Sequence, residues 1–468
     1  MQKVGMKERR MSKALDGNPT TEESSVPEQQ SEKVVPLAPA NVQTGDSDDG
    51  APLRILLPSY RSNPTTGGQG VYMRHISKAL VELGHHVDVI SGPPYPDLDP
   101  RVGLIELPSL DLYATPHPIR AFRPWMLTSP LDLFEWWSHN WGGFPEPYTF
   151  GERMAKYMED KIDQYDVMHD NQTLCWGMLK VRDMGLPVAG TIHHPITMDR
   201  RIDVAAMPNP WMKFLKWRWY TFLNMQIKVA RQLRPVIVVS DSTKRDVVRE
   251  FGVKEENMKT VYHGINHEVF EPRPHITRVD NQLVVCASAD VPLKGLIFLL
   301  RAYAKLLPDH PDLKLVVIGK LREGPTAKEL RKLGIMDKVI WKTGLSDSHL
   351  VDEYAEATIA ISPSVYEGFG FPAGEAMCCG APVITTNGGS LPEVAGDAAI
   401  VVQHSDPDAL AAAIADLLNN PKKRAEVGRA GRERILTKFK WEHAARNVVA
   451  IYREAIANAN NQSKRART

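Results

Sequence analysis

Two apolar patterns alternate along most of this chain. Short continuous runs of aliphatic residues read as strands buried on both faces, and between them apolar side chains return every three or four positions, as on one face of a helix. The first run covers residues 53–58. Tyr72, Ile76, Ala79, Leu80 and Leu83 then recur at helical spacing up to Gly84, and residues 87–90 form the next run. Further strands are expected at 166–169, 188–193 and 236–240, and a second series at 283–288, 314–319, 339–341 and 359–361. Between the two series, Glu271-Pro-Arg-Pro-His275 breaks both periodicities and reads as a linker. Strands alternating with helices predict an α/β fold with parallel sheets, in two domains at 51–272 and 273–438.

The stretch 357–402 carries the densest chemistry. A buried strand around Ile359 and Ile361 is followed by a loop with Glu367, Gly368 and Gly370. A helix then starts at Pro372, holds Glu375 in its opening turns and stops at Gly380. Such a loop lies at the carboxyl end of a parallel strand, where open α/β sheets bind ligands against helix N-termini. Two carboxylates eight positions apart then face one crevice. They suit the vicinal hydroxyls of ribose and of a sugar better than phosphate, while the glycines let backbone N–H groups approach a diphosphate. A sugar nucleotide fits both. Glu393, in Ser390-Leu-Pro-Glu393, reads instead as a capping box closing on its own helix.

Glu367-Gly-Phe-Gly-Phe-Pro-Ala-Gly-Glu375, with Gly380 and Pro382 after it, resembles the E-x7-E donor signature of the retaining glycosyltransferases of family 4. The resemblance extends over roughly 53–455. It implies the GT-B fold: two Rossmann-like domains facing each other across a cleft, with a C-terminal helix (439–457) crossing back to the first. It also implies that Glu367 meets the transferred sugar and Glu375 the ribose, with Gly368, Phe369 and Gly370 around the donor. Gly67 and Gly68 match the family's glycine loop, and Gly319 follows a strand on the donor side. Thr191-Ile-His193 resembles a T-x-H that places His193 near the sugar. Lys294 matches a cation that balances the leaving diphosphate. Ala289 stands where an arginine is usual, with Arg322 a possible compensating cation. In the hinge segment around Gly264, His263 replaces the usual asparagine.

The implied activity is transfer of a hexose, with retention, from a UDP- or GDP-sugar to an acceptor hydroxyl, with Glu367, Lys294 and His193 at the reacting centre. Neither a metal nor a cofactor beyond this co-substrate is expected. A sugar-nucleotide epimerase or a phosphorylase can share the architecture, and a sugar- or lipid-binding scaffold is the non-enzyme alternative.

Composition narrows the partners. The 468 residues carry a net charge of +1, which argues against a nucleic-acid partner. Cys175, Cys286, Cys378 and Cys379 show no metal spacing and suggest free thiols; with no apolar signal core or spanning run, a cytoplasmic protein is expected. Residues 1–50 read as a disordered tail and 458–468 as a flexible one. Eight of the ten tryptophans lie between Trp125 and Trp219, seven of them clustered in 125–141 and 210–229. With Asn209 as cap, the second cluster predicts a helix with Trp211, Phe214, Leu215, Phe222, Met225 and Val229 on one stripe, and Lys213, Lys216, Tyr220 and Lys228 off it. Two readings stay open: a core-packed helix with a solvated basic side, or a peripheral contact with the inner face of a membrane, bringing a lipid-linked acceptor to the cleft.

Overall fold

The computed structural model describes residues 50–63, 68–287 and 289–467, the last six of these as backbone only. Residues 1–49 of the expected tail and Gly67 lie outside the described residues. The chain builds two parallel sheets. The first contains β1 (Arg54–Ser59), β2 (His86–Ser91), β3 (Gly103–Glu106), β4 (Val167–Asn171), β5 (Val188–Ile192), β6 (Val236–Val238) and β7 (Met258–Thr260), in the order 3-2-1-4-5-6-7. The second contains β8 (Gln282–Cys286), β9 (Lys314–Ile318), β10 (Val339–Lys342), β11 (Ile359–Ser362), β12 (Val383–Thr386) and β13 (Ile400–Val402), in the order 10-9-8-11-12-13.

The central strands are buried along their whole length, and toward their carboxyl ends the apolar runs give way to buried polar side chains such as His169, Asp170 and Asn171 of β4 and Thr385 and Thr386 of β12. The pairing register follows the same logic: Ile55 lies between Val87 and Val167, and Ile361 between Val285 and Ile384. The edge strands β3, β7 and β13 were not anticipated. They are three or four residues long and only partly buried, so no apolar run announces them.

Strand order reverses between β1 and β4 in the first sheet and between β8 and β11 in the second. At such a switch point the flanking loops leave in opposite directions and open a crevice beyond the carboxyl ends of the strands. Two segments join the sheets side by side. Ile265 N–H donates to Phe439 O at 2.7 Å, and a Cβ on Gly264 would fall 2.2 Å from Trp441 N, so the hinge passes this point only as glycine. The helix Trp441–Arg467 then crosses back. Trp441, Val448 and Tyr452 share a buried core with Tyr72 and Ile76 of the helix Gly68–Glu82. This last helix runs to Arg467 instead of ending at 457, because Ala, Gln, Lys and Arg favour helix even without an apolar face.

The expected helix after Asn209 begins as read: the Asn209 side chain accepts from Met212 N–H at 2.9 Å and Pro210 opens the first turn. It then breaks. Pro210–Trp219 is followed by a 3-10 turn, Tyr220–Phe222, and a second helix, Leu223–Ala230. The break divides the single stripe: Phe222, Met225 and Val229 are buried, whereas Trp211 is 63% exposed and Phe214 and Trp217 are also open. Tyr220, placed on the solvated side by periodicity, is buried, its hydroxyl donating to Asp203 Oδ2 at 2.7 Å. That partner allows a phenol to enter the core.

Candidate active site

The switch point of the second sheet gathers the charged residues. Lys294 lies on the loop after β8, at the end of a 3-10 turn (Pro292–Lys294), and Glu367 on the loop after β11. Across the crevice Lys294 Nζ meets Glu367 Oε1 at 2.7 Å, and Ser364 Oγ donates to the same oxygen at 2.7 Å. The other oxygen of Glu367 has no hydrogen-bond partner among the described residues. Gly295 follows at φ 64°, where a Cβ would collide with Pro363 O; this turn presses the lysine loop against the glutamate loop.

Glu375 lies in the helix Phe371–Cys378, which Gly370 opens at φ 97° with no side-chain cap. Its carboxylate accepts no hydrogen bond within the described residues. Burial and, less strongly, the charge of Asp347 push it up to about 8, against the pull of Lys294. Cys286, the last residue of β8, lies within range of the charges of Glu375, Lys294 and Glu367. Burial raises its thiol to about 12, so it stays protonated. Nothing in the sequence marked Cys286 or Ser364.

Other expected donor residues are engaged elsewhere. Phe369 is buried in the hinge, its ring 5.2 Å from those of His263 and Phe371 and 5.8 Å from that of Phe439. Gly368 abuts the first domain: its carbonyl accepts from Ser240 Oγ at 2.9 Å, and a Cβ there would fall 2.4 Å from His193 O. Gly319 N–H is spent on Lys342 O at 2.8 Å. Gly68 faces open space, whereas a Cβ on Gly70 would meet Asn63 O at 2.0 Å, so the steric demand falls on Gly70.

Ala289 is buried and brings no charge. Arg322 is exposed, and its guanidinium has no hydrogen-bond or ion-pair partner among the described residues. Its loop is tied to the Lys294 loop: Thr326 N–H donates to Asp290 Oδ1 at 2.8 Å and Asp290 N–H to Thr326 Oγ1 at 3.2 Å.

His193 ends the β5 segment, as expected, but both ring nitrogens already have partners. Asn171 Nδ2 donates to Gln69 O at 3.1 Å, so its Oδ1 is the acceptor for His193 Nε2–H at 2.6 Å. His193 Nδ1 then accepts from His263 Nε2–H at 3.1 Å. A directional chain thus runs from the hinge to the start of the Gly68–Glu82 helix. Burial holds both imidazoles neutral, with His263 lowered to about 3 and His193 well below its ordinary value. To bind a sugar hydroxyl, His193 must give up one of these bonds.

Glu393 corrects the capping-box reading. Ser390 makes no side-chain cap; its Oγ donates to Glu367 O at 3.1 Å. The Glu393 carboxylate instead reaches the first domain and accepts from Asp241 N–H at 2.8 Å, Ser242 N–H at 2.7 Å and Tyr262 O–H at 3.0 Å. It caps the helix Asp241–Phe251 from across the cleft.

Comparison with known proteins places this geometry. The family model for "Glycosyltransferase Family 4" matches residues 66–269, and that for "Glycosyl transferases group 1" matches residues 270–434. The chain is 45% identical over 410 residues to an MMP alpha-(1->4)-mannosyltransferase of Mycolicibacterium hassiacum, spanning 86% of this chain and 99% of that protein. It is 25% identical over 438 residues to a D-inositol 3-phosphate glycosyltransferase of Nocardiopsis dassonvillei, spanning 87% of this chain and 95% of that protein. Among solved structures, sucrose-phosphate synthase of Thermosynechococcus elongatus superposes with a TM-score of 0.65 at 23% identity, over 87% of this chain and 100% of that one. Anabaena HepE in complex with UDP and glucose gives 0.62 at 15%, over 85% and 98%.

Proposed function

Because the chain belongs to glycosyltransferase family 4 and has the two-sheet GT-B architecture, we propose that it moves a mannosyl residue, with retention, from a nucleoside diphosphate sugar to a saccharide hydroxyl. One observation carries the reading: the Lys294–Glu367 pair spans the switch point of the second sheet, with Glu375 one turn into the helix that follows. The 45% identical relative named as a mannosyltransferase supports mannose as the hexose.

In this reading the ribose hydroxyls donate to Glu375 and the sugar meets the free oxygen of Glu367. The bond from the anomeric carbon to the leaving phosphate oxygen breaks as the acceptor oxygen bonds to the same face. The leaving oxygen takes the acceptor proton. Charge then builds on the diphosphate, where Lys294 and backbone N–H groups stabilise it, so catalysis rests on positioning and electrostatics. In this reading no metal ion takes part, and the EDTA arm below tests that.

A second observation bears on the acceptor domain. Trp125, Trp137, Trp141, Trp211, Phe214 and Trp217 are all exposed, and Arg218 joins the two groups by lying 5.7 Å over the Trp137 ring while Nε donates to Trp141 O. This aromatic surface supports a peripheral contact with lipid headgroups. No helix of the described residues is long and apolar enough to cross a membrane.

The test supplies UDP- and GDP-mannose in separate arms with an α-(1→4)-mannooligosaccharide, with and without EDTA, and reads product configuration by NMR. An α-linked product from one donor, undiminished by EDTA, is expected. A β-linked product would refute retention, donor conversion without acceptor would favour an epimerase, and dependence on inorganic phosphate a phosphorylase.

A further inference from the structure

A cavity of about 770 Å³ opens at the edge of the second sheet opposite the donor crevice. Thr358 and Pro382 on its wall precede β11 and β12, so it lies at the amino ends of the strands whose carboxyl side carries Glu367. Arg278, Arg424, Arg429 and Arg432 line it, with Glu433 as the one carboxylate of the lining. None of the four arginines forms an ion pair among the described residues. For a chain with net charge +1, this is a strong local excess of positive charge.

Three of the guanidiniums are fixed by backbone carbonyls. Arg278 donates to Ala357 O at 2.5 Å and Gly380 O at 2.9 Å, Arg424 to Leu417 O and Leu418 O, and Arg432 to Cys378 O at 2.5 Å. Arg424 keeps Nε and Nη2 uncommitted, and Arg432 keeps Nε and Nη2 as well. Arg429 is exposed and makes no side-chain hydrogen bond within the described residues. Such an array, preorganised and with four guanidiniums against one unpaired carboxylate, suits a phosphate, which forked guanidiniums bind in pairs of parallel hydrogen bonds. The volume exceeds the need of a bare phosphate and falls in the range of small-molecule sites.

The cavity also touches the two parts that set the donor site. Pro272 belongs to the interdomain linker, and Arg278 lies between that linker and β8. Arg432 and Arg278 hold carbonyls at the C-terminal end of the helix Phe371–Cys378, whose other end carries the donor loop. We infer that this arginine-lined cavity is an effector site for a phosphorylated small molecule, of hexose phosphate or nucleoside monophosphate size, distinct from the donor crevice.

The test uses the full chain with the donor crevice saturated by a nucleoside diphosphate, at fixed ionic strength. Inorganic phosphate, mannose 6-phosphate and a nucleoside monophosphate are titrated separately by calorimetry against wild type and Arg429→Glu, whose side chain supports no internal bond. At least one probe should bind wild type and lose tenfold or more in the variant; the tightest probe identifies the source of the phosphate. Nucleoside diphosphate affinity, measured with and without that probe, should shift at least threefold, because coupling between sites is reciprocal. No binding by any probe, or binding that Arg429→Glu leaves unchanged, overturns the site. Unchanged nucleotide affinity overturns its effector role. Neither outcome touches the transferase reading, which is decided by product formation.

Discussion

At the residue scale, the titration state of Glu375 links fold and site. Burial raises this carboxyl to about 8, above its ordinary value near 4.5, so the folded chain holds a proton there that the unfolded chain releases. The stabilisation is complete below pH 4.5 and is lost as pH rises through 8. Thermal midpoints between pH 6 and pH 9 should therefore fall more steeply in wild type than in Glu375→Gln. Nucleotide binding should run the other way: ribose hydroxyls donate best to the ionised carboxylate, so affinity for a nucleoside diphosphate should rise over the same interval in wild type and stay flat in the variant. Glu375→Ala should weaken that binding by about 1.5–3 kcal/mol; unchanged affinity would remove Glu375 from the ribose site. Lys294→Ala should lower kcat/KM about a hundredfold and Arg322→Ala by less. A larger loss at Arg322 would make it the principal cation opposite the diphosphate. The two glutamates were legible because their chemistry is confined to nine consecutive residues. Ser364 and Cys286 were not, since a serine or cysteine at a strand end looks the same whether or not it faces a charge.

At the scale of elements, legibility followed the apolar period. Buried central strands announce themselves by unbroken runs, and the Pro210 helix by its cap and proline. The break at Tyr220 had no local sign, because it depends on an acceptor at Asp203 seventeen positions away. Its consequence is the exposed face of Pro210–Trp219, with Trp211, Phe214 and Trp217 stacked in sequence at ring separations of 5.7 and 6.3 Å. If this face meets lipid, the protein should co-sediment with anionic vesicles at low salt and progressively less as salt screens Lys213 and Arg218. Trp211→Ser with Phe214→Ser should abolish sedimentation while leaving the thermal midpoint nearly unchanged, since those rings bury little in the fold. A folded wild type that stays in the supernatant at low salt would exclude the lipid contact.

For the whole molecule, what matters is how the two sheets are held at one cleft width. Apart from the apolar packing of Val239, His263, Phe369 and Phe371 near the hinge, three polar contacts cross the cleft: Glu393 on the helix Asp241–Phe251, Tyr366 O–H on Asp246 Oδ2 at 2.7 Å, and Ser240 Oγ on Gly368 O. Their partners lie more than a hundred residues apart, which is why a local capping box looked sufficient for Glu393. Of the three, Glu393 makes the strongest contact, because its charge meets two N–H groups where the helix dipole is positive. Burial raises its carboxyl, and the two N–H donors and the Tyr262 hydroxyl oppose that rise. Removing it should cost the closed arrangement about 1.5–3 kcal/mol, enough to shift the open-to-closed ratio by roughly ten- to a hundredfold. Glu393→Ala should thus enlarge the radius of gyration in solution scattering and raise the donor KM severalfold. Its kcat at saturating donor should stay near wild type, since bound donor recloses the cleft by contacts of its own. Exposed Glu323, on the Arg322 loop and paired with Arg331, serves as the control for loss of a carboxylate. If Glu393→Ala and Glu323→Ala scatter alike and share the wild-type KM, the clamp does not set the cleft, and closure must come from the hinge chain of His263, His193 and Asn171.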